Sequence, residues 1–192
     1  MRKSLILIAT LLVVTIPAAA YAQYGVIGLY TDASAGNCEV HDSAQGIFDV
    51  WVVHTIGTGA GAAQFKVQPS AGFTATYLGD FSPFEVYLGN SQTGISIAYG
   101  ECLSGTIVLL RITYLFDGSS ATCGKLEITG DPAEPDYPND PIVADCGSPS
   151  TIAKHVVQGG VLFVNPDGSC PCFLAVPVQE STWGQIKSLY GE

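Results

Sequence analysis

Positive charge is scarce in this 192-residue chain, where seven Lys and Arg stand against 17 Asp and Glu. Two of the seven, Arg2 and Lys3, precede an apolar run, Leu5–Ile16, which Pro17 breaks before Ala20-Tyr21-Ala22. A basic start, a short apolar centre and a small-x-small end form a cleavable secretory signal. Once residues 1–22 are removed, five basic residues face 17 acidic ones, a formal charge of −12. That balance argues against a nucleic-acid partner, because neutralising a phosphate backbone needs a basic face. A second long apolar run is also missing, and Leu5–Ile16 is too short to span a bilayer, so no transmembrane segment is expected after cleavage. No cysteine stands at the cleavage site, the first being Cys38, which leaves no lipoprotein anchor. The expected location is outside the cytoplasm: periplasmic, cell-surface or extracellular.

Catalytic motifs are missing too. There is no Gly-x-Ser-x-Gly elbow. His41, His54 and His155 are far apart, and neither His-x-x-x-His nor Cys-x-x-Cys supports a zinc site. Cys170-Pro171-Cys172 lacks the spacing of a thioredoxin-type redox pair. Carboxylates are plentiful, but no spacing pairs two of them as acid and base. The expectation is a protein that is not an enzyme, with an exported hydrolase as the last alternative. Gly57-Thr58-Gly59-Ala60-Gly61 follows a strand-like run and superficially fits a phosphate loop. A second strand pattern follows it, where a phosphate loop needs a helix, so it reads as a plain connection between strands.

Long helical periodicity is absent from the body of the chain, and what is present is alternation. Ile47–Thr55 is apolar on both faces, as in the middle of a packed sheet. Ala63–Val67, Ile95–Tyr99, Val108–Phe116 and Lys125–Thr129 alternate with a period of two, and Ile142–Ala144, Gly160–Val164 and Tyr24–Tyr30 add further strands. Turn formers punctuate them, which predicts an all-β, two-sheet antiparallel sandwich over residues 23–165. Residues 166–180 are rich in Cys and Pro and read as a linker. In residues 181–192, Thr182 and Gln185 fit a capping box, with Trp183, Ile186, Leu189 and Tyr190 on one side. That spacing predicts a short amphipathic helix over 182–190, whose apolar side is the candidate partner-docking surface.

All six cysteines lie after the signal, which suits an oxidising compartment. Six cysteines allow 15 pairings. Cys123–Cys146 is the first expectation, because both flank one acidic loop, and Cys38–Cys102 is the second. A bridge within Cys170-Pro171-Cys172 would be strained, so these two pair elsewhere or stay exchangeable.

Two segments are candidate ligand sites. Tyr77, Phe81, Phe84 and Tyr87 recur every three or four residues among Asp80 and Glu85, while Gly79 and Pro83 argue against a helix. On a loop they would make a sugar-stacking platform; otherwise they fill the core. Asp131, Glu134, Asp136 and Asp140 supply hard oxygen atoms for calcium, without the twelve-residue EF-hand spacing. The plainer reading is a solvated acidic loop. No cofactor is expected, calcium being the one alternative, and no metal site other than these four acids.

The strand order carries a resemblance. Phe48–His54, Ala63–Val67, Thr93–Tyr99, Gly105–Tyr114 and Gly159-Gly-Val-Leu-Phe-Val164 together resemble the cohesin-like jelly-roll sandwich over about residues 45–165. The resemblance implies a jelly roll that binds a protein partner through one sheet face, as cohesins bind dockerins. The chain departs from the family in its cysteine content, and no dockerin-contacting residue maps onto it. The ending Ser181–Tyr190 is similar to a Thr-Trp-Gly-x-Ile-Lys-x-Leu-Tyr tail on uncharacterised exported bacterial proteins. The preferred function is therefore a non-catalytic secreted or cell-surface module for protein–protein interaction in the envelope. A carbohydrate-binding module using the aromatics of 77–87 is the alternative.

Overall fold

Two strands of unusual length organise the chain. In the computed structural model, which describes residues 24–148 and 151–172, β3 runs Gln45–Pro69 and β6 runs Gly94–Asp117. Around them lie β1 (Val26–Tyr30), β2 (Glu39–Val40), β4 (Thr76–Phe81), β5 (Val86–Asn90), β7 (Gly124–Thr129), β8 (Ile142–Ala144), β9 (Lys154–Val156), β10 (Gln158–Gly159) and β11 (Val161–Val164). Among the described residues every regular element is a strand, and no helix is long and apolar enough to cross a membrane. The expected helix over 182–190 lies outside the described residues, as does the signal segment.

β3 and β6 pair antiparallel from Gln45↔Asp117 to Phe65↔Ile95. The register shifts between Val52 and Val53, between Ile56 and Ala60, and between Ala60 and Ala62. Unpaired residues bend a ribbon at such points, and here the ribbon turns back on itself. Val50, Val52, Ile112 and Tyr114 from one half then share a core with Phe65, Val67, Ile95 and Ile97 from the other. Gln92 Nε2 donates to the Tyr114 hydroxyl at 3.0 Å, tying the end of one half to the other. The first layer is β10–β1–β3–β6–β4, and the second is β5–β6–β3–β8–β9.

β7 and β8 follow one another along the same side of β3. Thr129 pairs with Lys66 and Ile142 with Gln64, so residues 130–141 are an excursion from one edge. β11 pairs with β7, and β2 with β11. Gly159-Gly160 carries the chain between the layers. The Gly160 N–H donates to the Ile27 carbonyl, and its own carbonyl accepts from Ile128. A Cβ on Gly159 would come within 2.1 Å of the Ile128 carbonyl oxygen, so only glycine fits there.

Four expectations need correction. Gly57–Gly61 is no connection between strands; it is the bent middle of β3. Ile95–Tyr99 and Val108–Phe116 are halves of one strand, β6. The pairing is not wholly antiparallel, since β1 with β10 and β11 with β2 run parallel. The cysteines pair Cys38–Cys172, Cys102–Cys146 and Cys123–Cys170. Cys123–Cys146 fails because Cys123 precedes β7 and Cys146 follows β8, so the whole edge separates them. Cys38–Cys102 fails because β2 lies beside β11, next to the segment carrying Cys172, while Cys102 sits across β3 from Cys146. Cys170 and Cys172 are both bridged, to partners in different parts of the chain.

The Cys102–Cys146 bridge passes over Gly59. This residue has φ +101°, and a Cβ there would lie 3.1 Å from each sulfur. Gly100, by contrast, has φ +78° and nothing within 4 Å of its Cβ position. Gly100→Ala should lose about 1 kcal/mol in urea unfolding, the cost of left-handed backbone alone. Gly59→Ala should lose about 2 kcal/mol or more, since the bridge must also shift. Equal losses would contradict the placement of the bridge.

Candidate functional site

Outward-facing residues of the second layer form two rows across five strands. The first is Val86–Ala98–Ala62–Ala144–Lys154, and the second is Leu88–Ser96–Gln64–Ile142–Val156. Their alternation partners Ile97, Ala63, Phe65 and Val143 face the core, which is why these rows point away from it. Ala62, Ala98, Ala144 and Ser96 make a low floor. Val86 and Leu88 stand above it on the edge strand β5, 61% and 74% exposed. The result is an open groove of about 190 Å³ with an almost wholly apolar lining.

Ile142, Ala144 and Lys154 line the opposite side, and the excursion of residues 130–141 meets it through Glu134. Asp131 accepts from Gln64 Nε2 at 2.8 Å and from the Ala133 N–H at 2.9 Å. It also occupies the space where a Cβ on Gly94 would stand. Glu134 forms a 2.7 Å ion pair with Lys154 at the groove rim. The hydrogen bond from Lys154 holds the Glu134 carboxyl below its ordinary range, and the same bond raises the Lys154 ammonium. Asp131 and Glu134 are thus buried and engaged within the chain, while Asp136 and Asp140 are exposed. The four candidate calcium ligands do not converge. The one group of potential ligand atoms brought together among the described residues is Cys123, Asp167 and Cys170, and its two sulfurs form a disulfide.

The aromatic segment is divided between two faces. β4 and β5 stand where a loop was expected, and strand alternation turns Tyr77 inward against Tyr114, ring centroids 6.1 Å apart. Burial, with the nearby Asp80 charge adding to it, pushes the Tyr77 hydroxyl up to about 12. Phe84 packs on Tyr99 at 5.1 Å. Phe81 and Tyr87 remain exposed, on different strands. The four rings form no common platform.

Phe81 instead joins a row that sequence reading missed. Across the outer face of the first layer, Tyr30 pairs with Trp51, Trp51 with Arg111 and Arg111 with Phe81. The Arg111 guanidinium lies 6.0 Å from the Trp51 ring and 5.4 Å from the Phe81 ring. It also pairs with Asp49 at 3.6 Å, and Asp49 accepts from the Thr113 hydroxyl at 2.7 Å. Trp51, Phe81, Pro83, Val108 and Arg111 line a second groove of about 300 Å³. The expected docking residues Trp183, Ile186, Leu189 and Tyr190 lie outside the described residues.

The histidines do not meet. His54 is fully buried in β3. Its Nε2 donates to the Tyr24 carbonyl and its Nδ1 accepts from the Tyr99 hydroxyl, both at 2.9 Å. His155 stacks on Tyr24 with centroids 3.7 Å apart and meets Asp145 at 3.3 Å. His54 is therefore a structural link from β3 to Tyr24, just before β1, and to Tyr99 in β6.

No protein-family model matches the sequence, and no curated protein matches it. Solved structures with a similar strand arrangement include cohesin modules. One, from a family 33 glycoside hydrolase of Clostridium perfringens, is 12% identical with a TM-score of 0.46, over 74% of this chain and 99% of its own. A type I cohesin–dockerin complex from Clostridium thermocellum gives 11% and 0.47, over 79% and 99%. A non-cellulosomal cohesin from the archaeon Archaeoglobus fulgidus gives 10% and 0.43, over 73% and 88%.

Burial holds the His54 imidazole down at about 4, from an ordinary 6.5. The unfolded chain therefore takes up a proton near pH 6.5 that the folded chain refuses until about pH 4. Stability should fall across that window as pH drops, by about 3 kcal/mol in total from this residue. His54→Gln should remove that part of the slope in urea titrations between pH 7 and pH 4. Parallel profiles for the two proteins would contradict it.

Proposed function

We propose that this chain is an exported, non-catalytic module that binds a protein partner through the groove over β5, β6, β3 and β8. The observation that carries the reading is the exposure of Val86 and Leu88 above a floor of Ala62, Ala98, Ala144 and Ser96. Outward positions on a solvated sheet are ordinarily polar. Here two rows of them are small or apolar except for Gln64, whose amide is tied to Asp131, and Lys154, which is paired at the rim. An apolar centre with charge confined to the edge is the anatomy of a protein-binding surface. The low floor beside a raised edge fits a partner that presents an apolar ridge.

Several features support the remaining parts of the proposal. Three disulfides among the described residues suit an oxidising compartment, and the leader at residues 1–22 supplies the route of export. The sequence resemblance to cohesins agrees with a protein partner at the cell surface or in the envelope. His54 is committed to two structural hydrogen bonds, which takes the most buried imidazole out of consideration as a catalytic base. A carbohydrate site on Tyr77, Phe81, Phe84 and Tyr87 would have to work with the two rings that stay exposed, Phe81 and Tyr87.

The mature protein, immobilised, should retain a stoichiometric protein partner from cell-surface extracts of its host. Leu88→Asp should weaken that partner by about 30-fold or more, as loss of a central contact does. Its melting temperature should not change, because Leu88 is 74% exposed. Equal retention by the Leu88→Asp variant would overturn the assignment of this face.

A further inference from the structure

The outer face of the first layer carries a site separate from the groove over β5, β6, β3 and β8. Trp51 on β3, Arg111 on β6 and Phe81 on β4 are paired neighbours in one row across three strands. The guanidinium lies near both rings, and Val108 and Pro83 complete a groove of about 300 Å³. The adjoining outward row is Asp49–Thr113–Gly79. Gly79 has nothing within 4 Å of its Cβ position, so the face stays open beside Phe81. An aromatic row thus runs alongside a polar row that offers a carboxylate and a hydroxyl.

The Arg111 guanidinium is short of acceptors. Its Nε is buried and has no hydrogen-bond partner among the described residues. Its Nη1 meets Asp49 Oδ2 at 3.6 Å, beyond hydrogen-bond length. The other Asp49 oxygen accepts from the Thr113 hydroxyl. Unmet donors are costly once covered, and a wholly apolar occupant would leave this planar fork unmet. The fitting occupant therefore brings acceptor oxygens together with apolar faces. Charge narrows the choice. Asp49 already matches the Arg111 charge, and the chain carries a formal charge of −10, so nothing in the site favours an anion. A neutral sugar ring meets these conditions. Its C–H face stacks on an aromatic ring, and its hydroxyls accept from a guanidinium and donate to a carboxylate. Trp51 and Phe81 are two strand intervals apart, about 10 Å, which suits successive rings of an extended glycan better than one monosaccharide.

We propose that the Trp51–Arg111–Phe81 row binds a neutral, extended glycan of the ribbon-like shape that β-1,4 linkage gives. Sugar rings stack on Trp51 and Phe81, and hydroxyls between them accept from Arg111 and donate to Asp49. Tyr77 and Phe84 take no part, because both are packed on inner rings. The activity is additional to protein binding and uses the other layer, so the two ligands do not compete for one surface.

Calorimetric titration of the full mature protein with cellohexaose, xylohexaose and chitohexaose tests this site. At least one should bind, and hexamannuronate, a β-1,4-linked anion, should bind more weakly. Phe81→Ala should weaken the bound hexaose by about tenfold or more, as loss of a stacking ring does. Arg111→Lys keeps the charge but loses the planar fork, and should weaken it by about fivefold. Both side chains reach solvent, so both variants should melt with the parent protein. Leu88→Asp should bind the hexaose as the parent does, so the glycan site and the protein-binding face stand or fall separately. Absence of binding to all three neutral hexaoses would overturn the proposal. Unchanged affinity in either Phe81→Ala or Arg111→Lys would also overturn it, and tighter binding of hexamannuronate would overturn the neutral class.

Discussion

The bend in the β3–β6 ribbon is the constraint on which the other features depend. A ribbon of two strands, each more than twenty residues long, cannot bury its apolar face while straight. Three register shifts and the run Gly57–Gly61 let it fold over, so that its two halves close on one core. The Cys102–Cys146 bridge then joins β6 to the end of β8 across Gly59. The bend sets which side chains face out in each half, and both grooves are consequences of it. One lies on the outer face of each layer.

The other two bridges act at the far end of the chain. Cys38–Cys172 closes a separation of 134 residues and Cys123–Cys170 one of 47. Bridges that close long loops remove more freedom from the unfolded chain. Here they also hold residues 170–172 against the start of β7 and the approach to β2. Asp42 works at the same end: it accepts from the Gly118 and Ser120 N–H groups, while its own N–H donates to Asn165. The result is a rigid exit point, which matters for any segment that continues beyond it.

The all-β character was legible because alternation at Ala63–Val67, Ile95–Tyr99 and Val108–Phe116 is strong and local. The length of β3 was not, because five residues with three glycines read as a turn, and a bulged bend uses the same residues for the same backbone freedom. Cysteine pairing was illegible for a different reason. Cys38 meets Cys172 through the parallel β2–β11 pairing, a contact between distant segments that spacing along the chain does not encode. The aromatic segment misled because Gly79 and Pro83 hid two short edge strands, one of them bulged between Tyr77 and Gly79. The apolar groove of the second layer had a signal that was present and unread. Ala62, Ser96, Ala98 and Ala144 hold outward positions where a solvated strand would carry larger polar residues. The Trp51–Arg111–Phe81 row needed the register of three strands, which only the fold supplies.

The central claim is that the apolar face over β5, β6, β3 and β8 is where a protein partner sits. The most direct measurement places a photo-crosslinking residue at position 88 of the full-length protein in its native host, with a control at the exposed Ile152. The account predicts one discrete crosslinked protein from position 88 and none from position 152. No crosslink at position 88, or the same products from both positions, would contradict it.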